Sequence, residues 1–124
     1  MITEKFQEVL KNEGVVTIVS WSAGEPHIVN TWNSYLTVTE DGKLLIPAAG
    51  MQQTEDNVKK NNKLKLALGS RNVTGFHNYP GTGFVVEGTA KFYESGAEYD
   101  LMKEKFSWIN KALEITITSL TQKI

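Results

Sequence analysis

The sequence contains no cysteine, only three prolines, and a single arginine, Arg71, among its 13 basic residues. The absence of cysteine excludes disulfides, thiolate zinc sites, iron–sulfur clusters and cysteine nucleophiles. It also fits the reducing conditions of the cytosol, and we therefore expect a cytoplasmic protein.

Long apolar runs and a charge bias are also absent. No apolar stretch approaches the ~20 residues needed to span a bilayer, and the first residues lack the layout of a signal peptide. The net charge of −1 provides no field for nucleic acid or an anionic membrane, so we expect neither as a partner. The 124 residues, 40% hydrophobic and 22% charged, predict one folded domain over residues 1–124.

Alternating apolar residues and turn signals predict about six strands, at 15–21, 27–38, 44–46, 64–68, 84–93 and 113–118. The second of these is one long strand or two, with a bend at Asn33-Ser34. Asp41-Gly42 predicts a type I′ hairpin, and Pro47 is expected to end the strand that follows.

Helical spacing predicts three helices between these strands. The first contains Phe6 and Val9 and is closed by Gly14 as its C′ residue. The second runs from a capping Thr54 to Lys60, and the third covers 97–108. Because hairpins outnumber helical crossovers, the fold class is mainly β, an antiparallel barrel-like sheet rather than a doubly wound one.

The stretch Asn30-Thr31-Trp32-Asn33-Ser34-Tyr35 is too polar for a strand that only packs against a core. Alternation places Asn30 and Trp32 on one face and Thr31 and Asn33 on the other. An indole surface beside amide donors and acceptors suits a flat ligand with polar edges, such as an isoalloxazine or a nucleobase. Packing of Trp32 in the core is the alternative.

A second polar segment, Pro47-Ala48-Ala49-Gly50-Met51-Gln52-Gln53-Thr54, leaves a strand and enters a helix. Unpaired N–H groups at a helix N-terminus form a natural seat for phosphate, and Gly50 allows close approach to the backbone. Gln53 and Thr54 add side-chain donors. The alternative is an ordinary capped helix.

Ser70 and Arg71 close another strand, and Arg71 could neutralise a phosphate. A surface ion pair is the other interpretation of Arg71. His27 and His77 lack the spacing of metal ligands, and no serine lies in a nucleophile elbow. We therefore predict neither a metal site nor catalytic side chains.

From Asn30 to Leu36 the sequence closely resembles small bacterial FMN-binding members of the pyridoxamine 5′-phosphate oxidase-like FMN-binding split-barrel family. The likeness covers nearly the whole chain and includes these further matches: Lys11 to Val16, Gly50-Met51, Thr54, Asn57, Leu68 to Arg71 and Pro80 to Phe84. The Asn-Thr-Trp-Asn-Ser-Tyr run is specific, whereas the glycines alone are not.

The resemblance implies a six-stranded antiparallel split β-barrel with short flanking helices, a homodimer, and one FMN per subunit near the dimer interface. Asn30, Thr31, Trp32, Asn33 and Ser34 would line the flavin, and Pro47, Ala48, Ala49, Gly50 and Met51 would run along it. Gln53 and Thr54 would meet the phosphate, with Ser70 and Arg71 close by. Further candidates are Trp108, Glu13 and Ile124, which would reach the flavin region from the other subunit.

The sequence departs from the resemblance at Gln53, where a member of the family carries a lysine. Glutamine can donate to phosphate but cannot neutralise it, and a charge-assisted hydrogen bond is worth ~1.5–3 kcal/mol against ~1 for a neutral one. A lower FMN affinity, or a larger share of the charge carried by Arg71, is the expected consequence.

The predicted function is non-covalent FMN binding, with electron transfer or a small flavin reductase activity supplied by the flavin. The electron donor would be a nicotinamide or a redox partner protein. The alternative is a non-redox sensor or binding module that holds FMN or another flat cofactor, such as haem or a deazaflavin. An oxidase acting on pyridoxamine phosphate is disfavoured, because one arginine is too few for a second phosphate-bearing substrate.

Overall fold

The computed structural model of the protein describes residues 1–124 and is mainly β. Its seven strands are β1 Val15–Ser20, β2 His27–Trp32, β3 Thr37–Val38, β4 Leu44–Ala48, β5 Lys63–Ser70, β6 Thr82–Tyr93 and β7 Lys111–Gln122. Its three helices are α1 Glu4–Leu10, α2 Gln52–Lys60 and α3 Ala97–Lys105, and single 3₁₀ turns occur at Asn33–Tyr35 and Phe76–Asn78. No helix has the length and apolarity that crossing a membrane requires.

All seven strands form one antiparallel sheet in the order β2-β1-β5-β6-β7-β4-β3. The two edge strands, β2 and β3, are joined by only the short segment 33–36. Because so short a connection cannot cross an open sheet, the sheet must curl until its edges approach each other. The result is a split barrel, and the predicted fold class is confirmed.

The strand count is seven rather than six, because the 27–38 segment is divided by the 3₁₀ turn at Asn33–Tyr35. The bend predicted at Asn33-Ser34 is therefore correct. The structure also confirms the half-exposed strand at 64–68, where Leu64, Leu66 and Leu68 are buried and the residues between them are exposed.

The barrel interior is closed at one end by α1. Phe6 and Val9 of this helix are fully buried, and the ring of Phe6 meets that of Phe84 edge-on with centroids 5.4 Å apart. A smaller apolar cluster of Leu45, Met102 and Ile109 fixes α3 outside β4 and β7. Burial of apolar side chains on both sides of β4 explains why that strand contains no exposed residue.

Gly14 does not close α1, which ends four residues earlier with Lys11 as its C-cap. Gly14 is instead required by a close approach between chain segments. A Cβ at this position would lie 2.1 Å from the carbonyl oxygen of Gly69 and 2.8 Å from Asn33 Nδ2. Only glycine fits such a contact, which joins distant segments and leaves no local sequence signal.

Pro47 does not end β4, which continues to Ala48. The strand pairs with β7 along its whole length, but β3 pairs only with Leu44 and Leu45. Beyond Leu45 one side of β4 is therefore an unpaired edge, where a residue without an N–H is tolerated.

The hairpin at Asp41-Gly42 is confirmed, but its turn is not type I′. That turn requires positive φ at both central residues, and only Gly42 has it, at +81°. Thr39 decides the geometry instead, because its hydroxyl oxygen accepts from the N–H of Lys43 at 2.9 Å and its side chain also bonds Asp41.

Two helix ends also differ from the prediction. The second helix begins at Gln52 rather than at a capping Thr54, because the chain turns at Gly50, whose φ is positive, and Met51 takes the N-cap position. The third helix ends at Lys105 rather than at residue 108. The ammonium of Lys103 donates to the carbonyls of Ser107 and Ile109, at 2.6 and 3.1 Å, and these bonds hold the following segment out of the helix.

Candidate functional site

Strand β2 presents its polar residues on two faces, as the alternation predicts. Asn30 and Trp32 are exposed on the outer face, while Thr31 and Asn33, the residue directly after the strand, are buried. On the outer face, the hydroxyl of Thr17 donates to Asn30 Oδ1 at 3.2 Å. Trp32 is 45% exposed and is therefore not a core aromatic.

Asn33 joins three separate segments of the chain. Its side-chain nitrogen donates to the carbonyls of Asn12 and Gly69, both at 2.9 Å, and more weakly to Val9 at 3.4 Å. Its own backbone N–H donates to the carbonyl of Gly14 at 2.9 Å. The amide nitrogen is thus fully engaged, whereas the buried Oδ1 has no partner.

Ser34 holds the carboxylate of Glu13. The Ser34 hydroxyl donates to Glu13 Oε2 at 2.7 Å, and the Ser34 N–H donates to Oε1 at 3.2 Å. These bonds, led by that from the hydroxyl, lower the pKa of Glu13, against a smaller opposing effect of burial. The carboxylate is therefore kept ionised beside the end of β2.

Glu13 also lines an open cleft of about 500 Å³, the Arg71 cleft, which it shares with Ser70, Arg71, Tyr79 and Gly81. The Ser70 hydroxyl donates to the Glu13 carbonyl and accepts from the Asn72 N–H, both at 3.2 Å. Arg71 is exposed and has no carboxylate within 4.0 Å, so the alternative of a surface ion pair is not supported.

The segment from Pro47 to Met51 forms a second wall. Pro47 and Ala48 are buried in β4, Ala49 and Gly50 are exposed, and Met51 packs against the core. Behind this turn is a small cavity of about 110 Å³, which is also lined by Glu55 and Lys111. Sequence reasoning did not identify these two residues. The sequence pattern offered only one indication of them, a glutamate in the first turn of a helix.

Helix α2 follows this wall directly. Its first regular hydrogen bond runs from the Glu55 N–H to the Met51 carbonyl at 2.9 Å, so the N–H groups of residues 52–54 have no intrahelical partner. Thr54 lies in this first turn, is fully buried, and its Oγ1 has no partner. The Gln53 side chain is directed elsewhere, because its Nε2 donates to Asn57 Oδ1 at 3.1 Å.

Gln53 and Arg71 lie at opposite ends of β1. Asn57, which holds Gln53, donates to the hydroxyl of Ser20, the last residue of β1. Arg71 shares its cleft with Gly14, which precedes the first residue of β1. Six residues of strand span ~17–20 Å, so the two side chains do not meet at one phosphate within one chain.

Trp108 lies beside the turn that follows Trp32. Its ring centroid is 5.8 Å from that of Tyr35 and 5.7 Å from that of Phe106, and the three rings form one aromatic cluster. Half of the Trp108 side chain stays exposed. The structure thereby brings Trp108, distant in sequence, close to the Asn30–Tyr35 stretch.

Comparison with known proteins identifies the family. A sequence model described as pyridoxamine 5′-phosphate oxidase matches residues 2–120. The chain belongs to the pyridoxamine 5′-phosphate oxidase family. It is also 44% identical, over 124 residues and the full length of both chains, to a protein from Nitratidesulfovibrio vulgaris (strain DSM 19637 / Miyazaki F) named FMN-binding protein.

Solved structures share the fold at much lower identity. HupZ from Group A Streptococcus aligns with a TM-score of 0.77 at 19% identity, covering 98% of this chain and 94% of the other. A protein from Mycobacterium smegmatis described as FAD binding aligns with a TM-score of 0.68 at 15% identity, covering 99% and 95%. At these identities only the fold is shown to be common.

The contact between Ser34 and Glu13 gives a first prediction. Replacing Ser34 by alanine removes the hydroxyl donor, and the pKa of Glu13 should rise toward its ordinary value of 4.5. Since the pKa of Glu13 is lowered in the folded state, its ionised carboxylate stabilises the fold above that ordinary value. This contribution is lost as pH falls through the folded-state pKa. An NMR titration of the Glu13 carboxyl carbon measures the change. Ser95→Ala, on an exposed loop, is the control, and an unshifted titration in Ser34→Ala would contradict the assignment.

Proposed function

We propose that this protein binds FMN non-covalently and serves as a small electron-transfer flavoprotein or flavin reductase in the cytoplasm. One observation carries the proposal. In the whole chain only two buried side-chain polar atoms lack a hydrogen-bond partner, Asn33 Oδ1 and Thr54 Oγ1. Both belong to residues that the sequence assigns to a flavin site. Because unpaired buried polar atoms are costly, their coincidence with the assigned site supports a polar ligand there. The name of the 44% identical relative supports the choice of FMN.

The residues present fit the chemical groups of FMN. On the outer face of β2, Asn30 and Trp32 offer an amide and an exposed aromatic surface to a planar ring. Asn33 Oδ1 is an acceptor suited to a ring N–H. The Pro47–Met51 wall supplies a backbone that carries no large side chain at Gly50.

The phosphate end is assigned to α2. The N–H groups of residues 52–54 and the Thr54 hydroxyl are donors, and the partial positive charge of the helix N-terminus favours an anion. Ser70 and Arg71 belong to the other end of the site, with Glu13. Trp108 extends the aromatic surface next to Tyr35.

Bound flavin would supply the redox chemistry, with electrons from a nicotinamide or a partner protein. The contribution of the chain is electrostatic. The ionised Glu13, held by Ser34, places a negative charge in the same part of the molecule as Asn33. A fixed negative charge disfavours additional negative charge on a nearby group.

We also propose that two copies pair through the outer face of β1 and β2. Val15 and Trp32 are directly opposite each other on these strands, and Ile28 lies farther along the same face. They are 45%, 45% and 59% exposed, and the polar pair Thr17 and Asn30 lies between them on the same side of the sheet. Large exposed apolar side chains that share one face are typical of an interaction surface. A two-fold axis would bring this patch against itself, and the flavin-facing residues Asn30 and Trp32 would lie at the interface.

Flavin binding is tested with the purified apoprotein. Addition of FMN should quench its fluorescence, and Trp32→Ala should weaken binding by ~3- to 10-fold because a stacking surface is lost, equivalent to ~0.7–1.4 kcal/mol. Trp21→Ala is the matched control, since Trp21 lines a separate groove with Lys63 and Glu87. Absence of quenching with the unmodified protein would refute the proposal. Tight binding without reversible reduction by dithionite would instead favour a non-redox binding module.

The electrostatic role of Glu13 is tested by redox titration of the FMN complex. Glu13→Gln removes one negative charge and should raise the two-electron reduction potential by ~30 mV, equivalent to ~1.4 kcal/mol. Glu8→Gln, on the exposed side of α1, is the control and should leave the potential unchanged. An unchanged or lower potential in Glu13→Gln would remove Glu13 from the site.

Dimerisation is tested by sedimentation velocity. The unmodified protein should sediment as a dimer, and Ile28→Asp should produce a folded monomer because a charge would be buried at the pairing face. Leu101→Asp, at an exposed apolar residue on α3, should stay dimeric. A dimer that survives Ile28→Asp would place the interface elsewhere.

A further inference from the structure

Both glutamines in the first turn of α2 bond to side chains farther along the helix. Gln52 Nε2 donates to Asp56 Oδ1 at 2.9 Å, and Gln53 Nε2 donates to Asn57 Oδ1 at 3.1 Å. Each partner lies one turn toward the C-terminus of the helix. The two amide groups are therefore drawn away from the free N–H groups at the start of the helix.

The acceptor for Gln53 is itself fixed. Asn57 is buried, its Nδ2 donates to the fully buried Ser20 hydroxyl at 3.1 Å, and its Oδ1 also accepts from the Ser22 hydroxyl at 3.2 Å. This network of Gln53, Asn57, Ser20 and Ser22 ties α2 to the end of β1. Releasing Gln53 to another ligand would break one of these bonds.

No free cation stands near the first turn of α2. Lys111 is paired with the buried Glu55 and, at 3.1 Å, with Glu94, and Lys59 is 3.9 Å from Glu55. Lys60 lies in the last turn of α2, and Arg71 lies at the far end of β1. The charges in the first turn are acidic, and only backbone N–H groups and the Thr54 hydroxyl offer donors.

We propose that Gln53 is held by Asn57 and is not a phosphate ligand, and that the lack of a cation beside the first turn of α2 gives this site a low selectivity for FMN over riboflavin. The inference rests on the proposed flavin function. In the proposed site, the phosphate is recognised by the N–H groups of residues 52–54 and by the buried, otherwise unpartnered Thr54 hydroxyl. Without a cation, the phosphate contributes less to affinity, and a flavin that lacks it remains a good ligand.

The experiment compares FMN and riboflavin binding to apoprotein at low ionic strength, by quenching of flavin fluorescence. For the unmodified protein we expect a ratio of the riboflavin Kd to the FMN Kd below ~30. Gln53→Met, which is neutral and of similar length, should leave this ratio within about twofold. Gln53→Lys should raise it at least about tenfold through FMN alone, and added salt should reverse that gain.

Several results would overturn the inference. A Kd ratio above ~30 in the unmodified protein would show that a cation reaches the phosphate. If Arg71→Ala then lowered this ratio, the cation would be Arg71 of a second copy. A ratio that falls about tenfold in Gln53→Met would make Gln53 a direct ligand, and an unchanged ratio in Gln53→Lys would place the phosphate elsewhere. Failure to bind either flavin would instead refute the proposed function itself.

Discussion

The side chain of Asn33 is the interaction on which this fold most depends. The split barrel needs its two edge strands to be joined by a very short segment, and that segment begins at Asn33. The two N–H groups of its amide contact three carbonyls, and these contacts tie the start of the turn to α1, to the chain after α1 and to the end of β5. Such buried bonds are costly to lose, because a buried polar group deprived of its partner pays its desolvation cost in full.

The same amide links the fold to the candidate site. Once its nitrogen is committed to structure, its oxygen remains as a buried acceptor without a partner. The next residue, Ser34, belongs to the same turn, and its N–H and hydroxyl fix the Glu13 carboxylate. One short turn therefore closes the barrel, presents an unpaired acceptor and orients a charge, which explains why its sequence is too polar for an ordinary strand.

Alternation along β2 and β5 correctly predicted which side chains are buried, and the paucity of helical crossovers predicted the antiparallel barrel. These features are local and repeat along the chain. The failures at Gly14, Pro47 and Thr54 have a different cause. Gly14 is required by the close approach of Gly69, and Pro47 is tolerated inside β4 because β3 is short. Thr54 lies inside the helix rather than at its cap because the chain turns earlier, at Gly50. Each depends on a neighbour that is remote in sequence or on where an adjoining element stops.

For the candidate site, the sequence identified the residue types but not what their side chains bond. The sequence predicts that Gln53 meets the phosphate with Arg71 close by. In the structure the length of β1 separates the two residues, and the Gln53 side chain is hydrogen-bonded to Asn57. Proteins only 15–19% identical to this chain have the same fold, so the fold tolerates wide change in individual side chains. Ligand selectivity has no such tolerance, because it depends on whether a single polar group is free or already bonded. A substitution that adds a charged group beside the first turn of α2 would therefore alter the preference between flavins while the barrel stays the same.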